Sequence, residues 1–455
     1  MFQKILEIPK NLSPPAILAL SFIILILMGS VLLYLPFAHV GKLSYINSLF
    51  TATSAVCVTG LTVVDTGTKF TFWGQLIVLF LIQLGGLGLM TVSTVVLFLL
   101  GKSPSIKDRL VLQNSFTYSP TKDILSLVKA ILIFTFATEL IGAFILGTYW
   151  HWQHFYPLSK AIFYGIFHAI SAFCNAGFSL FTTNLEEFSA NYTVVLTIAS
   201  LFILGGLGFL VIYEIFLCLY AKKTLLSLHA KLTLITNLYL ILGGTVLFFF
   251  FENSNVLNGF SLTYKIINSF FQAVTPRTAG FNTLPIAHLT DATLFLLIIL
   301  MFIGASPGSC GGGIKTTTFA LFLSFIKNKL QGREKVHILF RTLPNETVQR
   351  AITVVSVSGI LVVVCTILLL LTQRYGIPHG AGNGGFLEYL FEVASAFGTV
   401  GLSTGKTPTL NSWGKITLSL LMFIGRVGPL TVAHLVKMEK VTPPYQYSEE
   451  NVMVG

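Results

Sequence analysis

The sequence predicts an all-α membrane protein of four pseudo-symmetric helix–pore-loop–helix units, eight spans and four re-entrant half-helices in all, around a central pore. Three observations predict it. A motif of 11 or 12 residues recurs four times, apolar runs long enough to cross a bilayer separate its copies, and strongly basic linkers alternate with linkers poor in Lys and Arg. The copies are FTATSAVCVTGL from Phe50 to Leu61, FHAISAFCNAGF from Phe167 to Phe178, FQAVTPRTAGF from Phe271 to Phe281, and FEVASAFGTVGL from Phe391 to Leu402. Each opens on an aromatic residue, runs through a small and polar middle, and closes on a glycine before a bulky apolar residue. Repetition of this kind decides architecture before any single motif does.

Composition supports the membrane class. Of 455 residues 54% are hydrophobic and only 10% charged, with a mean hydropathy of +0.81. A water-soluble surface needs more charge than that. The run Ala16 to Leu35 is too long for a signal peptide and carries no small-residue cleavage site, so it reads as the first span. The net charge of +11 is no sign of nucleic acid, because its placement matters more than its sum. Lys102, Lys107, Arg109 and Lys122 share one linker; Lys222, Lys223 and Lys231 share another. Lys327, Lys329, Arg333, Lys335, Arg341 and Arg350 share a third. By the positive-inside bias these three linkers are cytoplasmic, and Lys4, Lys10, Lys437 and Lys440 put both termini on the same side.

In chain order, the first unit (1–100) has a span near Pro15 to Leu35, a short segment Ser44 to Cys57, and a span near Phe72 to Leu100. About 14 helical residues cover roughly 20 Å of a hydrocarbon core about 30 Å thick, so the short segment is a re-entrant half-helix. Its chain returns through non-helical backbone, tolerated at that depth only beside a polar cavity or inside protein. The second unit (101–222) repeats the scheme with Leu127 to Tyr149, Ser159 to Phe173, and Tyr192 to Tyr220. The third (223–330) has Leu232 to Phe251, Leu262 to Thr275, and a broken span from Ala292. The fourth (331–440) has Val348 to Leu371, Phe386 to Phe397, and Trp413 to Val436, followed by a cytoplasmic tail (441–455). A second repeat lies on the later spans: LGGLG at Leu84–Gly88 and again at Leu204–Gly208, with Ile303-Gly304-Ala305 and Ile424-Gly425-Arg426 at the same offset. These glycines serve close helix packing or line a cavity, and the two readings overlap. No soluble domain is present, the polar linker from Lys327 to Gln349 being one hairpin's worth of chain.

Four such loops meeting at one axis present backbone carbonyls, which replace a cation's hydration shell. Glycine suits this because it adopts positive φ freely. Each half-helix also points its carboxyl end at its loop, and that partial negative charge favours a cation. The candidate ligand residues are Val58, Thr59 and Gly60; Asn175, Ala176 and Gly177; Thr278, Ala279 and Gly280; Thr399, Val400 and Gly401. Each loop has a single closing glycine, so fewer carbonyl layers are defined than in a Gly-Tyr-Gly filter.

These loops, ending in TGL, AGF, AGF and VGL, together with TPRTAGF and GGGIKTT, resemble the Trk/Ktr/HKT superfamily, most closely the membrane subunit of bacterial Ktr systems. The resemblance covers roughly Pro14 to Lys437. It implies potassium uptake across a bacterial plasma membrane through a filter whose carbonyls bind K+, with sodium as a possible activator. It further implies a homodimer seated on a cytosolic ring of regulatory subunits with dinucleotide-binding folds, so that any nucleotide is held by another chain and none is bound by this one. The departures are Cys57 where the first loop more often has Thr, and Cys174 where the second more often has Asn. A sodium-permeable relative is the nearer alternative, against which Gly60 stands in place of serine. An intramembrane enzyme is the distant one, and no HExxH, GxGD or GxSG arrangement occurs.

The seventh apolar run is interrupted by Gly304, Ala305, Ser306, Pro307, Gly308, Ser309, Cys310, Gly311, Gly312 and Gly313, then Ile314-Lys315-Thr316-Thr317. Glycines and a proline do not continue a helix cheaply. A phosphate-binding loop needs Gly-Lys-Ser/Thr in succession, and Ile314 separates Gly313 from Lys315. A mobile constriction or a plain helix break remains, and the resemblance identifies this stretch, with Lys315, as the gate below the filter. Arg426 stands where units one and two have glycine, so it is expected to reach into the cavity, set an electrostatic barrier and hold the loop near the axis. Its alternative is a salt bridge serving assembly. Arg277 is expected to brace its loop by bonding neighbouring carbonyls. His168 and Glu392, with Thr51 and Gln272, occupy the second motif position and suggest half-helix capping or packing. Glu139 and Glu214 read as buried partners or ion ligands, and the five cysteines as reduced thiols. The Lys327–Arg350 stretch suits a partner subunit or anionic lipid.

Overall fold

The computed structural model describes residues 14–88, 124–153, 156–220, 225–374, 385–429 and 431. The fold is predominantly helical. The first unit contains α1 (Pro14–Tyr34), α2 (Tyr45–Val56) and α3 (Phe72–Leu87). The second contains α4 (Ile124–Gln153), α5 (Leu158–Phe173), α6 (Tyr192–Leu207) and α7 (Phe209–Tyr220). The third contains α8 (Leu228–Glu252), α9 (Leu262–Val274), α10 (Asp291–Phe302) and α11 (Thr316–Leu330). A small antiparallel hairpin, β1 (His337–Ile338) and β2 (Arg341–Thr342), precedes α12 (Asn345–Arg374), α13 (Phe386–Gly398) and α14 (Ser412–Val427). Leu339 and Phe340 both take positive φ at its tip, the geometry of a two-residue hairpin turn.

Local chemistry starts these helices. Ser44, Thr71, Asn191, Ser261, Thr290 and Asn411 each accept a hydrogen bond from the backbone N–H three residues on, the arrangement that satisfies an orphan first-turn donor. The short helices α2, α5, α9 and α13 run for 12, 16, 13 and 13 residues and end where the glycine loops begin. Their opening aromatics Phe50, Phe167, Phe271 and Phe391 are fully buried. The long helices are the reverse. Phe144, Leu140, Tyr239, Phe250 and Ile360 point outward and are exposed, as side chains solvated by lipid are.

Among the described residues four helices are long and apolar enough to cross a membrane, or five if the bent pair α6–α7 is taken as one. This corrects the expectation of an unbroken later span in unit two. The chain turns by 97° at Gly208 between α6 and α7. α3 stops at Gly88 and α14 at Gly428, both with φ near that of Gly208 (80°, 96° and 92°). Backbone at such φ with ψ near 130° is open only to glycine, so the glycine itself stops the helix. The remainder of the expected first and last unit spans, up to Leu100 and Val436, lies outside the described residues. So do the basic residues Lys102, Lys107, Arg109, Lys122, Lys222 and Lys223 and both termini.

Packing closes the four units on one another. The later helix of each unit lies against the short helix of the next: α3 on α5, α6 on α9, α10 on α13, and α14 back on α2. The four short helices therefore stand inside a continuous wall.

Candidate functional site: four glycine loops and the strand of chain beneath them

At the end of each short helix the backbone takes the same path. Val58, Asn175, Thr278 and Thr399 adopt left-handed φ of 57°, 59°, 75° and 49°, and two residues later Gly60, Gly177, Gly280 and Gly401 do so at 89°, 68°, 76° and 98°. The sign of φ therefore alternates along each loop. Three of the four non-glycine positions are β-branched, for which positive φ is strained, and such strain persists only where surroundings enforce it. The enforcement is visible in the helix ends. Thr59, Ala176 and Val400 donate their N–H to the carbonyls of Ser54, Ser171 and Ser395 at 2.8, 2.7 and 2.8 Å. In the third, shorter loop Ala279 donates to Thr275 at 2.9 Å.

The glycines face one another in a closed circuit. A Cβ built on Gly60 would overlap the carbonyl oxygen of Ala176; one on Gly177 would lie 2.9 Å from the Cα of Gly280. One on Gly280 would overlap the carbonyl of Val400, and one on Gly401 that of Thr59. Each loop thus abuts the next, and the fourth returns to the first, with no room for a side chain at any of the four contacts. Outside this ring lies a cavity of about 330 Å³ lined by Gly60, Gly177 and Gly401 together with Asp65, Glu186 and a set of Ser, Thr and Asn residues. Among the described residues no group of three or more His, Cys, Asp or Glu side chains comes together as a metal site. The oxygens packed against the ring glycines are the carbonyls of Ala176, Ala279, Val400 and Thr59.

Two rows of side chains brace the loops; those at the second motif position are buried and packed, as one of the two expectations had it. His168 accepts from Leu180 N at 3.3 Å and bonds the Ser179 hydroxyl at 3.0 Å. Glu392 accepts from the Ser403 hydroxyl at 2.7 Å, from Thr404 N at 2.9 Å and from the Thr407 hydroxyl. Gln272 accepts from Leu284 N and Thr283 N at 3.1 and 3.2 Å. These residues hold the outgoing chain rather than cap the helix, because the outgoing chain runs back alongside the second motif position. Thr51 bonds its own helix at Asn47 O, and His168 Nδ1 also bonds Tyr164 O of its own helix at 2.8 Å. The fifth motif position, unremarked in the sequence, is Ser or Thr in every copy: Ser171 donates to Phe178 O at 2.7 Å, Thr275 to Phe281 O at 2.5 Å, and Ser395 accepts from Gly401 N at 3.1 Å. Its signal was legible as an invariant hydroxyl across the internal repeat.

The interrupted stretch passes directly under the ring. Gly312 N donates to the Thr399 hydroxyl at 3.0 Å, and a Cβ on Gly311 would overlap the hydroxyl of Thr278. Ser306 N and Cys310 N donate to Gly206 O and Gly205 O at 3.1 and 3.2 Å, Gly313 N to Gly425 O at 3.2 Å, and Phe209 N to Gly308 O at 2.9 Å. Ala305 N reaches Gly312 O at 3.3 Å, closing the stretch on itself beside the Gly304–Gly312 contact, with Pro307 against Gly208. Ser309 Oγ donates to Ser306 O at 2.6 Å and Lys315 Nζ to Gly311 O at 2.6 Å. Arg426 donates to the carbonyls of Cys310 and Gly85, with Gly86 O at 3.5 Å. It ties the stretch to units one and four.

Arg277 behaves differently from expectation. It bonds no neighbouring carbonyl through its guanidinium; its Nη2 donates to Oδ1 of Asn237 on α8, because the side chain turns away from the ring. Glu139 accepts from Gln83 at 3.1 and 3.2 Å, and Glu214 from Ser227 N and Oγ at 3.0 and 2.9 Å, so both are partners of buried polar groups. The cysteines are all free.

Fold and site together define a predominantly helical membrane protein whose four glycine loops close on one another, and the comparisons place it among cation transporters rather than enzymes. The chain matches the family model TrkH, described as cation transport protein, over residues 13–443, and it belongs to that family. It is 41% identical to Ktr system potassium uptake protein B of Bacillus subtilis over 421 residues, 92% of each chain. It is 38% identical to the potassium/sodium uptake protein NtpJ of Enterococcus hirae over 455 residues, 99% of each. The crystal structure of the potassium transporter TrkH from Vibrio parahaemolyticus shares its fold, with a TM-score of 0.72 at 20% identity over 94% of this chain and 86% of that one.

Proposed function

We propose that the protein is the ion-translocating subunit of a potassium uptake system, with eight spans and four re-entrant half-helices around one pore. Its selectivity filter is the ring at Gly60, Gly177, Gly280 and Gly401, and K+ is bound by the carbonyls of the residues leading to each glycine. The closed circuit of the four glycines carries this reading. The half-helices aim their carboxyl ends at the ring and favour a cation there. The names of the relatives, among them potassium uptake proteins B and D of Ktr systems, support potassium as the ion and a multi-component assembly.

The Gly304–Gly313 stretch is the gate. It lies across the path just beneath Thr278 and Thr399, and transport needs it to move. Arg426 holds it in place and adds a positive charge to the cavity; Lys315 fixes its far end. Movement of K+ is inward and down its electrochemical gradient. Regulation comes from cytosolic subunits of dinucleotide-binding fold bound to a homodimer of this chain, both termini facing them, with Na+ as an activator. Permeability to sodium is the second reading, favoured by the name potassium/sodium uptake protein for one relative.

Uptake of K+ and Na+ into a transport-deficient bacterial strain tests the assignment. The wild type should restore K+ uptake and prefer K+; Gly401→Ser should lose that preference. A wild type that carries no K+, or a Gly401→Ser variant with unaltered preference, refutes it.

A further inference from the structure

We propose that Asn237 couples the filter to the loop below it, an inference that rests on the filter and gate reading above. Asn237 is buried in the middle of α8. Its amide is divided between two parts of the site. Oδ1 accepts from Arg277, which immediately precedes Thr278, the first left-handed residue of the third filter segment. Nδ2 donates to Ser306 Oγ in the loop at 3.1 Å and to Thr233 O of its own helix at 2.7 Å. Ser306 Oγ in turn accepts from Thr316 Oγ1 at 3.3 Å, at the first turn of α11. A continuous line of side chains therefore runs from the filter segment of unit three, through a helix that forms neither filter nor gate, to Ser306 near the start of the loop and Thr316 just past its end.

The physical force of this link comes from Arg277. Among the described residues its buried guanidinium has no carboxylate against it, its Nε has no partner, and Asn237 is the side chain that accepts from it. A buried charge deprived of its hydrogen-bond acceptor is costly, so Arg277 must follow Asn237. The amide is rigid and planar: if Ser306 moves with the loop, Asn237 either turns with it and draws Arg277, or gives up a buried bond. Displacement of the loop thereby changes the conformational freedom of Thr278, the first positive-φ residue of the third filter segment. Asn237 is a positioning residue, since it acts on the ion only through Arg277.

The test measures K+ uptake by transport-deficient cells making the full chain, reading half-saturation concentration and maximal rate separately. Ser306→Ala, which removes a hydroxyl that bonds no filter residue, should shift the half-saturation concentration about fivefold. In an Asn237→Leu background the same substitution should shift it by less than about twofold. Ser309→Ala, whose hydroxyl stays within the loop, should have the same fold-effect in both backgrounds. If Ser306→Ala has equal fold-effects with and without Asn237, the coupling is overturned. Should Asn237→Leu fail to reach the membrane, Asn237→Asp keeps an acceptor for Arg277 but offers Ser306 no donor, and it should reproduce the Ser306→Ala shift; an unshifted half-saturation concentration overturns the coupling equally. A wild type without K+ uptake would instead bring down the filter assignment, so the two failures are distinct.

Discussion

The ring of filter glycines and the layer just beneath it are cut from the same four repeats, yet they differ in symmetry. In the ring every unit supplies the same backbone: a positive-φ residue, one of ordinary negative φ and a positive-φ glycine. In the layer beneath, the equivalent position is Gly86, Gly206, Ala305 and Arg426, and among the described residues only the third unit runs a loop under the ring. A spherical ion at the centre of a ring is served by four similar oxygen sources, which holds the units alike. A gate needs one element that moves and others that hold it, which drives the units apart.

Substitutions in the ring should therefore fail hardest. Gly280→Ala would place its Cβ on the Val400 carbonyl at a φ of 76°, and K+ uptake should fall by more than about tenfold. Retention of near-normal uptake would break the contrast. One layer down, Arg426→Gln releases the Cys310 and Gly85 carbonyls from a charged donor, and maximal K+ uptake should rise about fivefold while the K+ over Na+ preference stays. A lost preference with unchanged rate would place Arg426 in the filter's function instead.

At the helix breaks the comparison becomes one of stability. Gly88→Ala meets no neighbouring atom and should cost about 1–3 kcal/mol from backbone strain alone. Gly208→Ala carries the same strain and also presses on Pro307 of the loop, so its melting temperature in detergent should be the lower of the two. Among the bracing hydroxyls, Ser171→Ala removes the bond to Phe178 O and should cost about 1 kcal/mol. Ser54 Oγ has no partner, so Ser54→Ala should leave the melting temperature unchanged. The smallest effect lies at the outer cavity. Burial raises the Glu186 pKa, opposed by Asn282 and His288, so the folded state prefers the protonated carboxyl. Its contribution to stability is full below the ordinary glutamate value and is lost as pH rises through the raised one. Glu186→Gln should flatten the melting temperature against pH across that window.

Much of this was legible in advance where the repeat spoke. The four copies located the short helices to within a residue or two, because an apolar run bounded by Ser44 or Ser261 and by a glycine loop has few ways to fold. The LGGLG pairs were visible as well, but their meaning was not. A glycine in an apolar run reads equally as a packing surface or a break, and here Gly205 is the first, with its Cβ position on Phe173 O, while Gly208 is the second. Arg277 misled for a related reason: its place inside the filter motif pointed to the carbonyls beside it, whereas its partner Asn237 lies 40 residues away in the chain.

What the sequence determined by itself was the membrane class, the fourfold repetition and the placement of the glycine loops, since hydropathy and repetition are properties of the chain read in one dimension. Only the tertiary structure decided that the four glycines close into a ring, that three further helices end at glycine, and which oxygen each buried arginine finds. Those outcomes depend on backbone handedness and on contacts between distant units, and neither is written in the spacing of residues along a single strand of chain.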